Sequence, residues 1–421
     1  MITLIEALNF RCLRYVRQEL GDFQVLVGPN ASGKTTFLDV IGFLSDLVSD
    51  GLNTAVENRT HNFHDLVWMR EGTRFELAVE ARIPEEKRTL LSRADYDTLR
   101  YEVALGIEDN SKEIQVLAET ALIKKQKPLI SQMRILFPAL QDVPSTLLTN
   151  KQIKASDGKR ILTKVHGGND NYYSETYREA AKGWMPSVKL GPRKSTLGNL
   201  PEDETNFPVS AWFKNLLSSG VQRFVLNSLA IRQASPPGQV RGFKPDGSNL
   251  PWVIARLSET RPKNLREWIG HLRTALPDLV NIGTVERKDD KHRYLVLEYK
   301  GGLKVPSWMA SDGTLRLLAL TLPAYLPDFS GVYLIEEPEN GIHPRAVETV
   351  FQSLSSVYNA QILMASHSPV VLSLVEAAKV LCFAKTEEGA VDIVSGDQHP
   401  KLKDWRGTPN LAVLFGAGVL G

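Results

Sequence analysis

Residues Gly28-Pro29-Asn30-Ala31-Ser32-Gly33-Lys34-Thr35 fit the pattern G-x-x-x-x-G-K-[ST] of a phosphate-binding loop. Glycines at both ends let the backbone wrap closely around an anion, its N–H groups turn inward, and the following helix offers its positive end. Lys34 would reach the outer phosphates and the Thr35 hydroxyl a Mg²⁺ ion. A second group of chemical residues follows a short apolar run at 332–335, namely Glu336-Glu337-Pro338-Glu339. Nucleotide hydrolysis needs one acid for the metal and one to orient and deprotonate the attacking water. Glu336 suits the first task and Glu337 the second. Ser311-Asp312-Gly313-Thr314 opens a helix-like run with a hydroxyl, a glycine and a free N-terminus, which suits a terminal phosphate. Taken alone, that stretch would read as a plain helix cap. His367, in Ser366-His367-Ser368-Pro369, could donate to the same phosphate.

The elements that must hold these groups are legible around them. Phe23-Gln24-Val25-Leu26-Val27 is strand-like and enters the loop, and Phe37, Ile41, Leu44 and Val48 recur at helical spacing after it. Runs at 332–335, 361–365 and 379–383 are short and apolar, as buried parallel strands are, so the acids and His367 fall at carboxyl ends where open α/β sheets bind ligands. Residues 2–5 and 10–16 read as a hairpin bending at Asn9-Phe10-Arg11. The segment 74–83 and those around Tyr101 to Ile107 and Ile114 to Ala118 alternate with period two, predicting antiparallel strands with one wet face. Three divisions follow: 1–124, 125–290 as a middle insertion with short helices over 205–275, and 291–421 as the second half of the core.

At 421 residues the chain exceeds one ordinary domain, and its 43% hydrophobic and 23% charged residues are those of a soluble globular protein. No run approaches the ~18 apolar residues of a membrane span. Only Cys12 and Cys382 are present and the first residues lack an export pattern, so the expected location is the cytoplasm, with no membrane partner and no disulfide framework. The net charge of +2 conceals a +9 excess in residues 121–200, where 14 Lys/Arg face 5 Asp/Glu. Tyr172, Tyr173, Tyr177 and Trp184 lie in that stretch, a mix suited to DNA or equally to an acidic protein partner.

In combination, Asn9-Phe10-Arg11, Gly28 to Thr36, Asp246-Gly247-Ser248-Asn249-Leu250, Ser311 to Leu318, Ile335 to Pro344 and Ser366 to Pro369 resemble the ABC-type ATPases of the RecF/SMC/OLD group. The particular likeness is to compact prokaryotic AAA-family ATPases found in anti-phage and toxin-like systems. The resemblance implies an α/β fold: an ABC-type P-loop ATPase head, with a mixed sheet core and an antiparallel β lobe, plus a mixed, partly helical middle insertion. It implies ATP with Mg²⁺ as cofactors. Gly28, Asn30, Ser32, Gly33, Lys34, Thr35 and Thr36 would hold the nucleotide, Arg11 would touch it, and Thr35 and Glu336 would hold the metal. It further implies a head-to-tail homodimer in which Ser311 and Gly313 complete the site of the partner, with Asn340-Gly341 nearby and His367 as the switch histidine. The chain departs from the transporter ATPases in having Glu336 for Asp, in lacking Leu-Ser-Gly-Gly-Gln, and in showing no glutamine between 55 and 75.

Two outputs compete. One is a sensor or clamp, driven by ATP-dependent head dimerisation, that acts in anti-phage defence or DNA maintenance through a separate nuclease or toxin. The other is a low-turnover scaffold restraining a toxic partner. A nuclease within the chain is disfavoured, because about fifty residues after His367 are too few for such a domain. The apolar stretch 411–420 and the middle insertion are the expected docking surfaces.

Overall fold

The computed structural model describes residues 1–108, 112–126, 134–149, 157–176, 186–402, 410–416 and 418. The chain opens with the hairpin β1 (Ile2–Phe10) and β2 (Leu13–Glu19), then β3 (Phe23–Val27), the phosphate loop, α1 (Lys34–Ser49) and α2 (Leu52–Glu57). Next come β4 (Arg74–Arg82), α3 (Glu85–Arg88), β5 (Thr98–Ile107) and β6 (Ile114–Lys124). The middle supplies β7 (Gly158–Lys164), β8 (Asp170–Tyr172), β9 (Ser187–Val188), α4 (Pro208–Asn215), β10 (Val221–Phe224), α5 (Ser228–Arg232), α6 (Leu250–Thr260) and α7 (Pro262–Leu272). A small antiparallel sheet, β11 (Leu279–Glu286), β12 (Arg293–Tyr299) and β13 (Lys304–Pro306), precedes α8 (Asp312–Thr321). The remainder is β14 (Gly331–Glu336), α9 (Pro344–Ser355), β15 (Ala360–Ala365), α10 (Pro369–Leu374), β16 (Val380–Lys385), β17 (Val391–Ser395) and α11 (Leu411–Gly416).

Among the described residues, two larger sheets carry the architecture. The core has the order β10-β14-β15-β3-β16-β17, parallel except for the edge strand β17. The lobe is antiparallel throughout, in the order β2-β1-β4-β5-β6-β7-β8-β9. The stretch 125–290 therefore contributes to both sheets: β7, β8 and β9 extend the lobe, and β10 adds an outer parallel strand to the core. The first bend also differs from the sequence expectation. β1 runs on through Phe10, and the turn falls at Arg11-Cys12, with Asn9 and Arg11 in left-handed backbone conformations (φ 57° and 52°).

Helix α1 lies between the sheets and is buried on nearly all sides, which is why its apolar residues exceed a single stripe. Phe43 meets Phe10 and Phe75 of the lobe at 5.9 and 5.5 Å, while Phe37 meets Phe383 of the core at 5.5 Å. On the core sheet the side chains alternate: Leu26, Leu334 and Leu363 join the cluster around α1, and Val25, Ile335 and Met364 join the one that includes α8, α9 and α10. Covering both faces of parallel strands in this way is what makes them read as unbroken apolar runs.

Among the described residues, the lobe has no wet face where the alternation predicted one. Glu6, Glu76, Glu80 and Glu102 project from it and are all buried. Arg100 reaches Glu6, Glu102 and Glu80 at 2.5, 2.6 and 3.2 Å. Segment 134–149 lies across this face as a strap, its Leu147 and Thr149 N–H groups donating to Glu76 (2.5 Å) and Glu102 (2.7 Å). The buried carboxylates are thus satisfied by a guanidinium and by backbone, as burial of charge demands.

Candidate functional site

Three loops meet at the carboxyl ends of β14, β15 and β3, which lie side by side with Glu336 opposite Ala365 and Ala365 opposite Leu26. The Ser366 N–H donates to Leu26 O (3.1 Å) and the Glu337 N–H to Ala365 O (2.8 Å), so strand pairing itself sets the loops level with one another. Glu337 holds a left-handed φ of 47°, a strained conformation for a residue with a side chain, of the kind that clusters at functional sites.

In the phosphate loop, Gly28 (φ 150°) passes so near β16 that a Cβ would lie 2.3 Å from Phe383 O. At Gly33 (φ 99°) a Cβ would meet Val391 at 2.6 Å. Both positions thus exclude side chains by space as well as by dihedral angle. The start of α1 has no side-chain cap and no acid in its first turn, leaving its positive end open to an anion. Lys34 folds back onto Gly28 O and Pro29 O at 2.8 and 2.9 Å. Its pKa is lowered by burial and pulled back up by Glu337 and Glu336.

The Thr35 hydroxyl donates to Glu336 Oε2 at 2.5 Å. This pair of hard oxygen donors beside an anion cradle fits Mg²⁺, which completes its shell from phosphates and water. Asn340 Nδ2 donates to Glu337 Oε2, and His367 Nε2 stands 3.8 Å from Glu337 Oε1. The His367 pKa is lowered by burial and by Lys34, against the opposing pull of Glu337 and Glu339. Arg11, Asn30, Ser32 and Thr36 line the same cleft, about 500 Å³ in volume, together with Lys34, Thr35, Glu336, Glu337 and His367. Glu339, the third acid of the run 336–339, accepts from Ser366 Oγ (2.7 Å) and the His367 N–H (2.8 Å), fixing the backbone of the histidine loop.

Ser311 and Gly313 do not line this cleft. Ser311 caps α8 by accepting from the Thr314 N–H at 3.2 Å and is exposed. Gly313 packs so closely on the Asn340-Gly341 loop that a Cβ would lie 2.8 Å from Gly341 O. Asp312, beside them, is held by Arg232 at 2.6 Å. The Asp246–Leu250 stretch is structural: Asn249 is fully buried and joins the loop around it, donating to Gly242 O (2.7 Å) and accepting from the Lys244 N–H (3.0 Å).

Sequence reasoning missed one arrangement. Asp39, on α1 one turn beyond the loop, accepts from Arg59 at 2.6 and 2.8 Å, from Arg223, and from Arg11 at 3.5 Å. Arg223 reaches it across Gly42, where any Cβ would collide with the guanidinium. The one signal available was a pair of acids, Asp39 and Asp46, inside a largely apolar helix.

The basic stretch is less open than its composition suggests. Tyr172 is buried, with its hydroxyl donating to Thr196 O at 2.9 Å, so its ring is not free to stack on bases. Lys159 donates to Ser174 O (2.5 Å) and Arg160 to Thr149 O (2.8 Å). Lys151, Lys154, Tyr177 and Trp184 lie outside the described residues. No helix among the described residues is long and apolar enough to cross a membrane.

Residues 1–183 match the family model described as "AAA ATPase domain", and residues 261–373 match that of the "AAA domain, putative AbiEii toxin, Type IV TA system". No curated protein matches the sequence significantly. Among solved structures, the Smc head bound to the C-winged helix domain of ScpA is similar at 13% identity and a TM-score of 0.52, over 93% of this chain and 97% of that one. The Smc head with an extended coiled coil bound to the C-terminal domain of ScpA, from Pyrococcus furiosus, is similar at 11% identity and a TM-score of 0.50, over 93% and 95%. At such identities the shared feature is the fold. Models of ATPase domains thus match both ends of the chain, and its fold is that of an SMC head.

Proposed function

We propose that the chain binds ATP with Mg²⁺ and hydrolyses it in a site shared between two copies, and that the resulting opening and closing of the pair switches a separate effector. The carrying observation is a separation. Lys34, Thr35, Glu336, Glu337 and His367 share one cleft, whereas Ser311 and Gly313 lie outside it at an exposed helix start. A helix N-terminus without a phosphate in its own chain is suited to complete the phosphate site of a second copy.

Within one site, the loop amides and Lys34 would hold the phosphates, and Thr35 with Glu336 the metal, which draws charge from the transferring phosphoryl group. Glu337 would take a proton from the attacking water, held in aim by Asn340. His367 would donate to the terminal phosphate. Closing the pair only with ATP present converts nucleotide state into differential contact, and a few kcal/mol of it shifts a partner's binding equilibrium by orders of magnitude. The toxin–antitoxin wording of the family model matching 261–373 is in keeping with a toxin-like output, and the ScpA-bound Smc heads are a precedent for partners docking on this fold.

The test is complementation. Lys34→Ala and Ser311→Ala should each be inactive, and their mixture should regain part of the activity, because one of two composite sites is then intact. Mixed dimers that form yet show no recovery would refute a shared site.

A further inference from the structure

Of the stretch 411–420 expected as an exposed docking surface, α11 is instead covered by the chain itself, and residues 417, 419 and 420 lie outside the described residues. Leu411 and Leu414 are buried in the same cluster as Val371 and Leu372 of α10, and only Val413 among its apolar residues stands well exposed. Helix α10 begins two residues after His367. Across this contact Phe415 meets the His367 ring, with centroids 6.3 Å apart and planes tilted by 48°.

The backbone of His367 is fixed by Glu339, but nothing in that bond sets the direction of the ring. On the cleft side the ring stands 3.8 Å from Glu337 and feels the charges of Lys34 and Glu339. Neither α10 (Pro369–Leu374) nor α11 contains a titratable side chain, so Phe415 presents an apolar surface to the ring. A ring held by one backbone bond and open to solvent would sample several staggered rotamers, and a wall on one side removes those that turn away from the cleft.

We propose that α11 is a positioning element for the nucleotide site, with Phe415 holding the His367 ring toward the cleft. This rests on the role assigned to His367 above. It makes the contact between α11 and α10 a place where packing far from the phosphates governs turnover. If the useful rotamer falls from dominant to one among three or more, the rate falls about 3- to 10-fold while substrate binding is little changed.

The test compares full-length variants in ATP hydrolysis. Phe415→Ala should lower kcat by about 3- to 10-fold with KM changed less than about 2-fold. Phe415→Tyr should restore the rate, and Val413→Ala on the exposed side should leave it unchanged. In a His367→Gln background Phe415→Ala should have no further effect, since the wall acts only through the ring it holds. NMR of histidine labelled with ¹³C at Cε1, with the His367 signal identified by its loss in His367→Gln, reads the contact without hydrolysis. That signal should move in Phe415→Ala as the ring current is lost. A moved signal in a protein without ATPase activity would sink the proposed function and still support the contact. An unmoved signal, or a full additional loss of rate in the His367→Gln background, would overturn the proposal.

Discussion

Asp39 is the place where a single substitution should reveal how the phosphate-loop helix is held. Arg59, 5% exposed, is bound to Asp39 at 2.6 Å and to Asp46 at 2.7 Å, and it also donates to Ala55 O at 2.7 Å. Breaking a buried ion pair by removing one partner costs about 3–5 kcal/mol, because a charge is left without compensation. In Asp39→Ala the guanidinium keeps Asp46 and Ala55, so we expect roughly half that penalty, about 2–3 kcal/mol. Arg59→Ala leaves Asp39 with Arg223 and Arg11, whose side chains are 47% and 39% exposed, and should cost a similar amount. If the pair is the dominant contact, the double variant should cost about 3–4 kcal/mol rather than the sum, giving a coupling of about 1–2 kcal/mol. Urea denaturation of the four proteins, compared at constant m-value, measures this directly. A coupling below about 0.5 kcal/mol would mean that the two side chains stabilise the helix independently, and the account of Asp39 as the anchor of α1 would fall.

Further outcomes follow from the same geometry. Gly28→Ala must push the loop away from Phe383 O and should weaken nucleotide binding by at least about 10-fold, as one lost charge-assisted contact would; Gly270→Ala, with open space around it, is the control, and equal affinities by titration calorimetry would refute the steric argument. His399 is 1% exposed and burial holds its pKa down at about 4, so its unfolded form binds protons first on acidification. The stability this contributes is present above about pH 6.5 and is lost as pH falls toward 4; by pH 5 the loss is about 2 kcal/mol, which His399→Leu should abolish in urea denaturation at a series of pH values.

The parts of the site that sequence exposes are those defined by neighbours in the chain. The glycines and Lys34 sit within eight residues, and Glu336, Glu337 and His367 each follow an apolar run whose length marks a buried strand. What binds them together is not local. Asp39 meets partners 20 and 184 residues away, and no periodicity encodes that. The lobe shows the same limit: strict alternation in β4 and β5 reads as one wet face, yet the strap 134–149 closes over it, and only the run of carboxylates facing one way hinted that something must satisfy them. Strand order is a third case, because β10 finds β14 across more than a hundred residues through a four-residue ladder with little pattern of its own. The apolar character of α11 was visible, but an exposed run and a docked one look alike until the partner helix α10 is in place.

The central claim, hydrolysis of ATP by Glu337 at a phosphate loop organised by Lys34, is tested most directly by steady-state turnover and ATP affinity of Glu337→Gln beside the unaltered protein. Loss of a general base with the acceptor geometry retained should slow turnover by about 10²-fold or more while the ATP dissociation constant stays within about 3-fold. Lys34→Ala, stripped of the compact charge at the phosphates, should fail to bind ATP in the same titration. Turnover in Glu337→Gln equal to that of the unaltered protein would contradict the account.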